Sequence, residues 1–113
     1  AALKDTSPEE RSFGTITVSH ILRAVQDYYQ LKPKDLLSRS KVRSVVLPRQ
    51  VGMFLARELT QLSLEEIGMH FGGRDHTTVL YAQDRIERLR FSNAQIKGDL
   101  LALRDRILSG RTR

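Results

Sequence analysis

Two adjacent glycines, Gly72 and Gly73, separate two stretches whose apolar residues recur at helical spacing. Glycine adopts left-handed backbone conformations without a steric penalty, so the pair can end one helix and reverse the chain. Asp75 follows as a good N-cap, and Thr77 and Thr78 fall in the first turn of the next helix. The sequence therefore predicts a tight turn between two helices, with polar side chains displayed where the second helix begins.

The displayed side chains leave several functions open. They are Arg74, Asp75, His76 and Thr77. A set of this kind can contact base edges in nucleic acid, hold an anion at a helix N-terminus, or form a chemical site.

The first half of the chain also has apolar residues at helical spacing. Thr17 can cap a helix over residues 18 to 29, followed by a short turn over residues 34 to 37. A longer helix is predicted to begin between Ser44 and Pro48, because proline is tolerated in the first turn of a helix. Its inward residues form a single stripe. Three polar residues lie off that stripe, namely Arg49, Gln50 and Arg57.

Two capping boxes mark helix starts in the second half of the chain. Ser63 to Glu66 opens a short helix in which Gly68 allows a close contact with another helix. A helix from about Asp75 to Arg90 follows the glycine turn, and Ser92 to Gln95 opens a last helix that ends near residues 109 and 110. No segment alternates with the period of a strand. The predicted fold is all-α, one compact domain in which a short helix, a turn and a longer helix form a helix-turn-helix.

Positive charge is concentrated in one part of the sequence. The chain of 113 residues has a net charge of +6, and residues 32 to 57 carry seven basic residues against one acid, Asp35. An evenly solvated surface would not concentrate charge in this way, which favours a patch facing phosphates. Residues 38 to 43 form a predicted basic loop, and Arg49 and Arg57 are expected to contact phosphates beside the helix-turn-helix.

The second helix of such a unit normally places its N-terminal residues against base edges in the major groove. Asp75 can accept a hydrogen bond from a cytosine amino group, or it can act only as the N-cap. His76 can donate to a base and pack on a thymine methyl group, or it can be an ordinary surface histidine. Thr77 can set its methyl group against that of thymine.

Four other residues are candidates for contacts with the DNA backbone or the minor groove. Arg74 and Thr78 are expected to bind phosphates, Thr78 at the helix N-terminus. Lys41 and Arg43, on the basic loop, either enter a narrow minor groove or are only solvated.

Enzyme activity and protein scaffolding are the competing classes of function. The Asp75-His76 pair resembles the dyad of metal-dependent phosphohydrolases, but the chain has only three histidines and no cysteine. No phosphate-binding loop or nucleophile elbow is present either. We therefore expect no enzyme activity, metal or cofactor in this chain. The local positive charge argues against a helical scaffold for protein contacts as the main role.

The ends and the apolar content of the chain bear on its context. Residues 1 to 14 are polar and contain Pro8, so they are interpreted as a linker, and the opening Ala1 suggests an excised fragment. No apolar run approaches the roughly 18 residues that cross a bilayer. No signal peptide pattern is present, so we expect a cytoplasmic protein without a membrane partner.

Residues 72 to 79, GGRDHTTV, resemble the signature of the DnaA family of bacterial chromosomal replication initiators, in its C-terminal DNA-binding domain. The resemblance extends from about Thr15 to Ile107. It includes the segments Asp27–Tyr29, Asp35–Ser38, Arg43–Val45, Pro48–Gln50, Arg57–Thr60 and Ser63–Leu64. It implies a Trp-repressor-like helix-turn-helix that binds short, asymmetric, A/T-rich DnaA boxes in double-stranded DNA at the replication origin.

The resemblance also implies roles for individual residues. Base reading in the major groove falls to Asp75, His76 and Thr77. Support of the DNA backbone falls to Arg43, Arg49, Gln50, Arg57, Arg74 and Thr78. The loop residue that enters the minor groove is Lys41, where the family commonly has arginine. Next to Leu64, Glu65 stands where the family commonly has a proline that can touch a thymine methyl group.

The domain organisation of the family completes these expectations. An AAA+ domain upstream would hold ATP or ADP with magnesium and drive self-assembly, residues 1 to 14 would connect to it, and residues 15 to 113 would bind DNA as a monomer. The setting would be the bacterial cytoplasm, at the nucleoid. The alternative is a helix-turn-helix transcriptional regulator, which an upstream ligand-sensing domain would indicate in place of a nucleotide-binding motif.

Overall fold

The computed structural model describes residues 16–110, and the predicted linker over residues 1 to 14 lies outside the described residues. The described part contains helices and connecting segments and no strand, which confirms the all-α prediction. The helices are α1 Val18–Tyr29, α2 Pro33–Leu37, α3 Arg43–Leu59, α4 Leu64–His70, α5 His76–Ser92 and α6 Ala94–Gly110.

Helix α3 is the centre of the fold, since α1, α2, α4, α5 and α6 all pack against it. Nine consecutive residues, from Pro48 to Ala56, are consequently buried, so this helix is enclosed over more than two turns. The prediction that Arg49 and Gln50 lie off the buried stripe is therefore wrong, because a helix surrounded by neighbours has no solvent-facing side there. Arg49 is 5% exposed and Gln50 is 9% exposed.

Helix α1 confirms its predicted bounds. Thr17 accepts a hydrogen bond from the backbone of His20 and, in return, its own N–H donates to the His20 ring, closing a capping box. The helix ends at Gln30, which adopts a left-handed conformation with φ of 58°. Pro33 then occupies the start of α2, where its missing N–H has no helical partner to lose.

Two predicted helix starts need correction. Helix α3 begins at Arg43, because the carbonyl of Val42 accepts from the N–H groups of Val45 (2.9 Å) and Val46 (2.8 Å). Pro48 thus lies inside the helix and not in its first turn. The predicted capping box from Ser92 is also wrong, because Ser92 belongs to α5.

Ser92 is the last residue of α5, since the N–H of Asn93 still donates to the Leu89 carbonyl over 2.7 Å. Asn93 is the residue that caps α6, and its side-chain oxygen accepts from the N–H of Ile96 over 3.1 Å. The cap of α6 therefore lies one residue after the predicted one. The predicted inward face of α6 is confirmed, with Ile96, Leu100, Leu103 and Ile107 buried.

A buried carboxylate joins the two ends of the described fold. Asp99, on α6, is 3% exposed. It accepts hydrogen bonds from the hydroxyls of Tyr28 (2.7 Å) and Tyr29 (2.8 Å), both on α1, and from the amide of Gln95 (2.8 Å). The bond to Asp99 is the first cause that raises the pKa of Tyr28, whereas burial is the first cause for Tyr29. This cluster holds α6 against α1.

Candidate nucleic-acid interface

The turn between α4 and α5 needs both glycines. Gly72 and Gly73 have φ of 85° and 77°, in the left-handed region that disfavours other residues. The carbonyl of Gly68 closes the turn by accepting from the N–H groups of Phe71 (3.1 Å) and Arg74 (2.9 Å). A Cβ on Gly68 would lie 2.0 Å from the Arg74 carbonyl oxygen, so the close contact at this glycine is with the turn and not, as predicted, with a helix. Helices α4 and α5 thus form the helix-turn-helix that the sequence predicts.

The start of α5 is organised by Asp75, which confirms the predicted N-cap. One oxygen of its carboxylate, Oδ1, accepts from both the N–H and the hydroxyl of Thr78, each over 2.9 Å. These bonds, the backbone bond first, hold the pKa of the Asp75 carboxyl below its ordinary value. His76 and Thr77 are exposed beside this cap. Two side chains of the first turn are therefore engaged with each other, and two are presented to solvent.

Predicted site residues from three helices share one surface depression. It is lined by Arg57 of α3, Ser63, Leu64 and Glu65 at the start of α4, and His76 of α5. The predicted capping box at Ser63 is confirmed. It fixes the start of α4, where Leu64 and Glu65 lie. Arg57 is exposed, and its Nη1 donates to the Leu62 carbonyl over 2.9 Å. The fold therefore brings Leu64, Glu65 and Arg57 beside the first turn of α5.

The basic loop comprises residues 38 to 42, one residue shorter than predicted because Arg43 begins α3. Its serines shape it locally. The N–H of Ser40 donates to the Ser38 hydroxyl and the N–H of Val42 donates to the Ser40 hydroxyl, each over 3.2 Å. Lys41 and Arg43 are exposed.

Two of the predicted phosphate-binding arginines are turned into the protein. Arg49 donates to three carbonyls, those of Asp35, Leu36 and Ser40. Arg74 donates to the carbonyls of Phe71 and Ser38. Burial lowers the pKa of both guanidinium groups. Gln50 accepts from Arg85 Nη1 over 2.9 Å, which links α3 to α5.

Sequence reasoning missed two residues that shape this surface, Ser38 and Arg85. Their partners are 11 and 35 residues away in the chain, so no local pattern marks them. Within residues 16–110, no three histidine, aspartate or glutamate side chains come together in a way that could hold a metal ion. No helix in that range is long and apolar enough to cross a membrane.

The chain matches known proteins over most of its length. A family model described as "Bacterial dnaA protein helix-turn-helix" matches residues 18–86. The chain is 52% identical over 88 residues, 78% of its length, to the chromosomal replication initiator protein DnaA of Nitrosomonas europaea, of which it covers 19%.

Two further relatives carry the same name. The protein of Limosilactobacillus fermentum is 44% identical over 91 residues, 80% of this chain and 21% of the relative. That of Thermus thermophilus is 51% identical over 85 residues, 75% of this chain and 20% of the relative. The chain therefore spans about a fifth of the length of these relatives. Together with the glycine turn and the capped helix that follows it, the matches show that this chain belongs to the bacterial DnaA helix-turn-helix family.

Proposed function

We propose that this chain is the DNA-binding domain of a bacterial replication initiator, and that it binds double-stranded DnaA boxes sequence-specifically at the replication origin. One observation carries the proposal. The exposed side chains of His76 and Thr77 follow the glycine turn directly, and His76 shares a surface with Arg57 and Glu65. The names of the relatives, which are replication initiators, support the same function.

In this proposal α5 enters the major groove with its first turn leading. His76 donates to a base, and Thr77 packs its methyl group on that of thymine. Asp75 already uses Oδ1 for Thr78, so its other oxygen is the one that accepts from a cytosine amino group. Glu65, on the rim of the same depression as His76, accepts from a base amino group where a proline would only make an apolar contact.

Phosphate contacts hold the domain in place without reading sequence. Arg43 and Arg57 are both exposed. Arg43 places a positive charge at the start of α3, and Arg57 places one in its last turn. Thr78 lies in the first turn of α5, but its N–H and hydroxyl already donate to Asp75, so it supports the phosphate contact only through that cap. Gln50, Arg49 and Arg74 support the DNA backbone indirectly, through the parts of the chain that they hold.

Lys41 is the residue that we place in the minor groove beside the box. It is exposed, and two serine-mediated turns shape the loop around it. The minor groove of A/T-rich DNA is narrow and strongly negative, which attracts a cation. A lysine offers a point charge and not a planar fork, so it recognises the width and potential of the groove more than single bases.

The rest of the initiator is proposed from the resemblance. Residues 15 to 113 bind DNA as a monomer, and residues 1 to 14 connect them to an upstream AAA+ domain. That domain holds ATP or ADP with magnesium and drives self-assembly in the bacterial cytoplasm, at the nucleoid. The four-fifths of the relatives that this chain does not cover leave room for such a domain.

A binding titration tests the central proposal. The chain is titrated with a duplex containing one DnaA box and with a scrambled duplex of the same composition, at one fixed salt concentration. Specific binding predicts an affinity for the box that is higher by about a thousandfold. Comparable affinities for the two duplexes would contradict the proposed function, because charge alone binds both equally.

A further inference from the structure

Arg49 organises the basic loop from below the surface. It is 5% exposed, and its donors converge on acceptors at the end of α2 and in the first half of the loop. Nε donates to the Leu36 carbonyl (3.2 Å), Nη1 to the Ser40 carbonyl (3.1 Å), and Nη2 to the Asp35 carbonyl (3.2 Å) and the Ser38 hydroxyl (3.3 Å). Four acceptors are thus held by one planar group, whose donors have a fixed geometry.

Arg74 ties the same loop to the turn of the helix-turn-helix. Its guanidinium donates to the carbonyl of Phe71, before the glycines, and to the carbonyl of Ser38, in the loop. The turn also packs against the residue that precedes the loop, since a Cβ on Gly72 would lie 2.4 Å from the Leu37 carbonyl oxygen. Ser38 consequently binds both arginines, through its hydroxyl to Arg49 and through its carbonyl to Arg74.

Within residues 16–110, the acceptors of these two guanidinium groups are carbonyls and one hydroxyl, and none of them is a carboxylate. The charge of Arg74 is a second cause that lowers the pKa of Arg49, after burial. Bringing two like charges together in a partly buried place is unfavourable. A neutral core side chain at position 49 would avoid that cost, but it would not make the hydrogen bonds to Ser38 and Ser40 that hold the loop.

We propose that Arg49, together with Arg74, is a positioning residue that fixes Lys41 relative to His76, and that Arg49 does not itself contact phosphate. The inference rests on the proposed function, in which the loop and α5 contact one duplex. A loop that is already ordered does not have to be ordered when DNA binds, so the tie increases affinity through preorganisation. It also sets the spacing between the minor-groove and major-groove contacts.

Replacing Arg49 by lysine separates positioning from a direct contact. Arg49→Lys keeps the positive charge but has no planar fork with which to hold four acceptors. Amide hydrogen exchange, measured without DNA, should rise roughly tenfold or more over residues 38 to 42, because hydrogen bonds to a charged donor are lost. Arg43→Lys, a charge-preserving change at an exposed position, is the control and should leave exchange in the loop unchanged.

The DNA arm measures discrimination in the minor groove. Inosine–cytosine pairs differ from guanine–cytosine pairs only by the amino group in the minor groove. The wild-type chain should bind more tightly when the base pairs under the loop are inosine–cytosine than when they are guanine–cytosine. In Arg49→Lys the ratio of these two affinities should fall towards one. The loss caused by His76→Ala should stay the same in the Arg49→Lys background. If Arg49→Lys unfolds the domain, Arg74→Lys takes its place in both the exchange and the DNA-binding experiments. That change removes the bond from the turn to the Ser38 carbonyl.

Two results would overturn the positioning role. One is unchanged exchange in the loop, and the other is an inosine preference that persists although the loop exchanges faster. A wild-type chain that binds box and scrambled duplexes equally would instead contradict the proposed function, and the exchange measurement would still decide whether Arg49 orders the loop.

Discussion

The N–H and the hydroxyl of Thr78 donate to the same carboxylate oxygen of Asp75, each over 2.9 Å, at the point where α5 begins. The pair caps the helix and fixes the side-chain directions of two of the four residues from Asp75 to Thr78 at its start. Stability and recognition therefore depend on the same carboxylate. Their separate contributions can be distinguished by pH and by substitution.

Asp75→Asn should keep the cap, because asparagine is also a good N-cap, but it should lose the charge. The folded-state pKa of Asp75 is depressed below 3.8, mainly by the backbone N–H of Thr78. Its stabilisation is thus fully present above that value and is lost as the pH falls through the lower folded-state pKa. The difference in unfolding free energy between wild type and Asp75→Asn should shrink from about pH 5 to about pH 2 in urea titrations. A difference in unfolding free energy that does not change with pH would show that the charge of Asp75 does not contribute to the cap.

His76→Ala should weaken binding to a DnaA box by about 1–3 kcal/mol and should change binding to a scrambled duplex little. The reason is that a base contact is made only on the matching sequence. Fluorescence anisotropy titrations on both duplexes measure the two losses. His70→Ala is the matched control, since His70 is an exposed histidine on α4 that does not line the depression. Equal losses on both duplexes would assign His76 to phosphate contact.

Arg57→Ala should weaken binding to any duplex and reduce the slope of log affinity against log salt by about one, because each phosphate contact releases one counterion. Titrations at several salt concentrations measure the slope. Arg57→Lys should keep it, since lysine retains the charge. Arg106→Ala, an exposed arginine on α6, should leave the slope as it is in the wild type. An unchanged slope in Arg57→Ala would place Arg57 outside the DNA contact.

The parts of the fold that follow from the sequence are those decided within a few residues. The caps at Thr17, Ser63 and Asp75 each bond a backbone group three residues ahead, so residue type and spacing suffice to predict them. Asn93 was missed by one residue because Ser92 and Asn93 are both good caps. The choice between them depends on how far α5 continues.

The parts that the sequence does not predict depend on distant contacts. Arg49 resembles a surface arginine in its own helix, and its burial follows from neighbours up to 14 residues away and from the helices that enclose α3. Nothing in the α6 sequence distinguishes Asp99 from an exposed acid. Its burial depends on a hydrogen bond from Tyr28, which lies 71 residues earlier in the chain. The candidate site divides in the same way. The exposed position of His76 and Thr77 at the start of α5 was predicted from the local pattern. The inward direction of Arg74, in contrast, depends on Ser38, 36 residues away.

The two glycines of the turn provide a matched pair of substitutions. Gly73→Ala should destabilise the domain by about 1 kcal/mol, because its φ is positive but the space around it is open. Gly72→Ala adds a Cβ 2.4 Å from the Leu37 carbonyl oxygen, so it should cost about 3 kcal/mol or more. Chemical denaturation measures both values. Equal losses would show that the turn does not pack closely against the Leu37 carbonyl at the end of α2.

Asp99→Ala should destabilise the domain by about 3 kcal/mol, because it leaves the hydroxyls of Tyr28 and Tyr29 without their acceptor in a part-buried place. Asp105→Ala, at an exposed position on the same helix, should change stability by no more than about 0.5 kcal/mol. The cluster joins α1 to α6 and includes none of the proposed DNA contacts. Under conditions where the variant is folded, its affinity for a DnaA box should therefore equal that of the wild type. A folded Asp99→Ala variant with weakened binding would show that the α1–α6 contact also sets the position of α5, and the stability of the domain could then not be separated from its recognition of DNA.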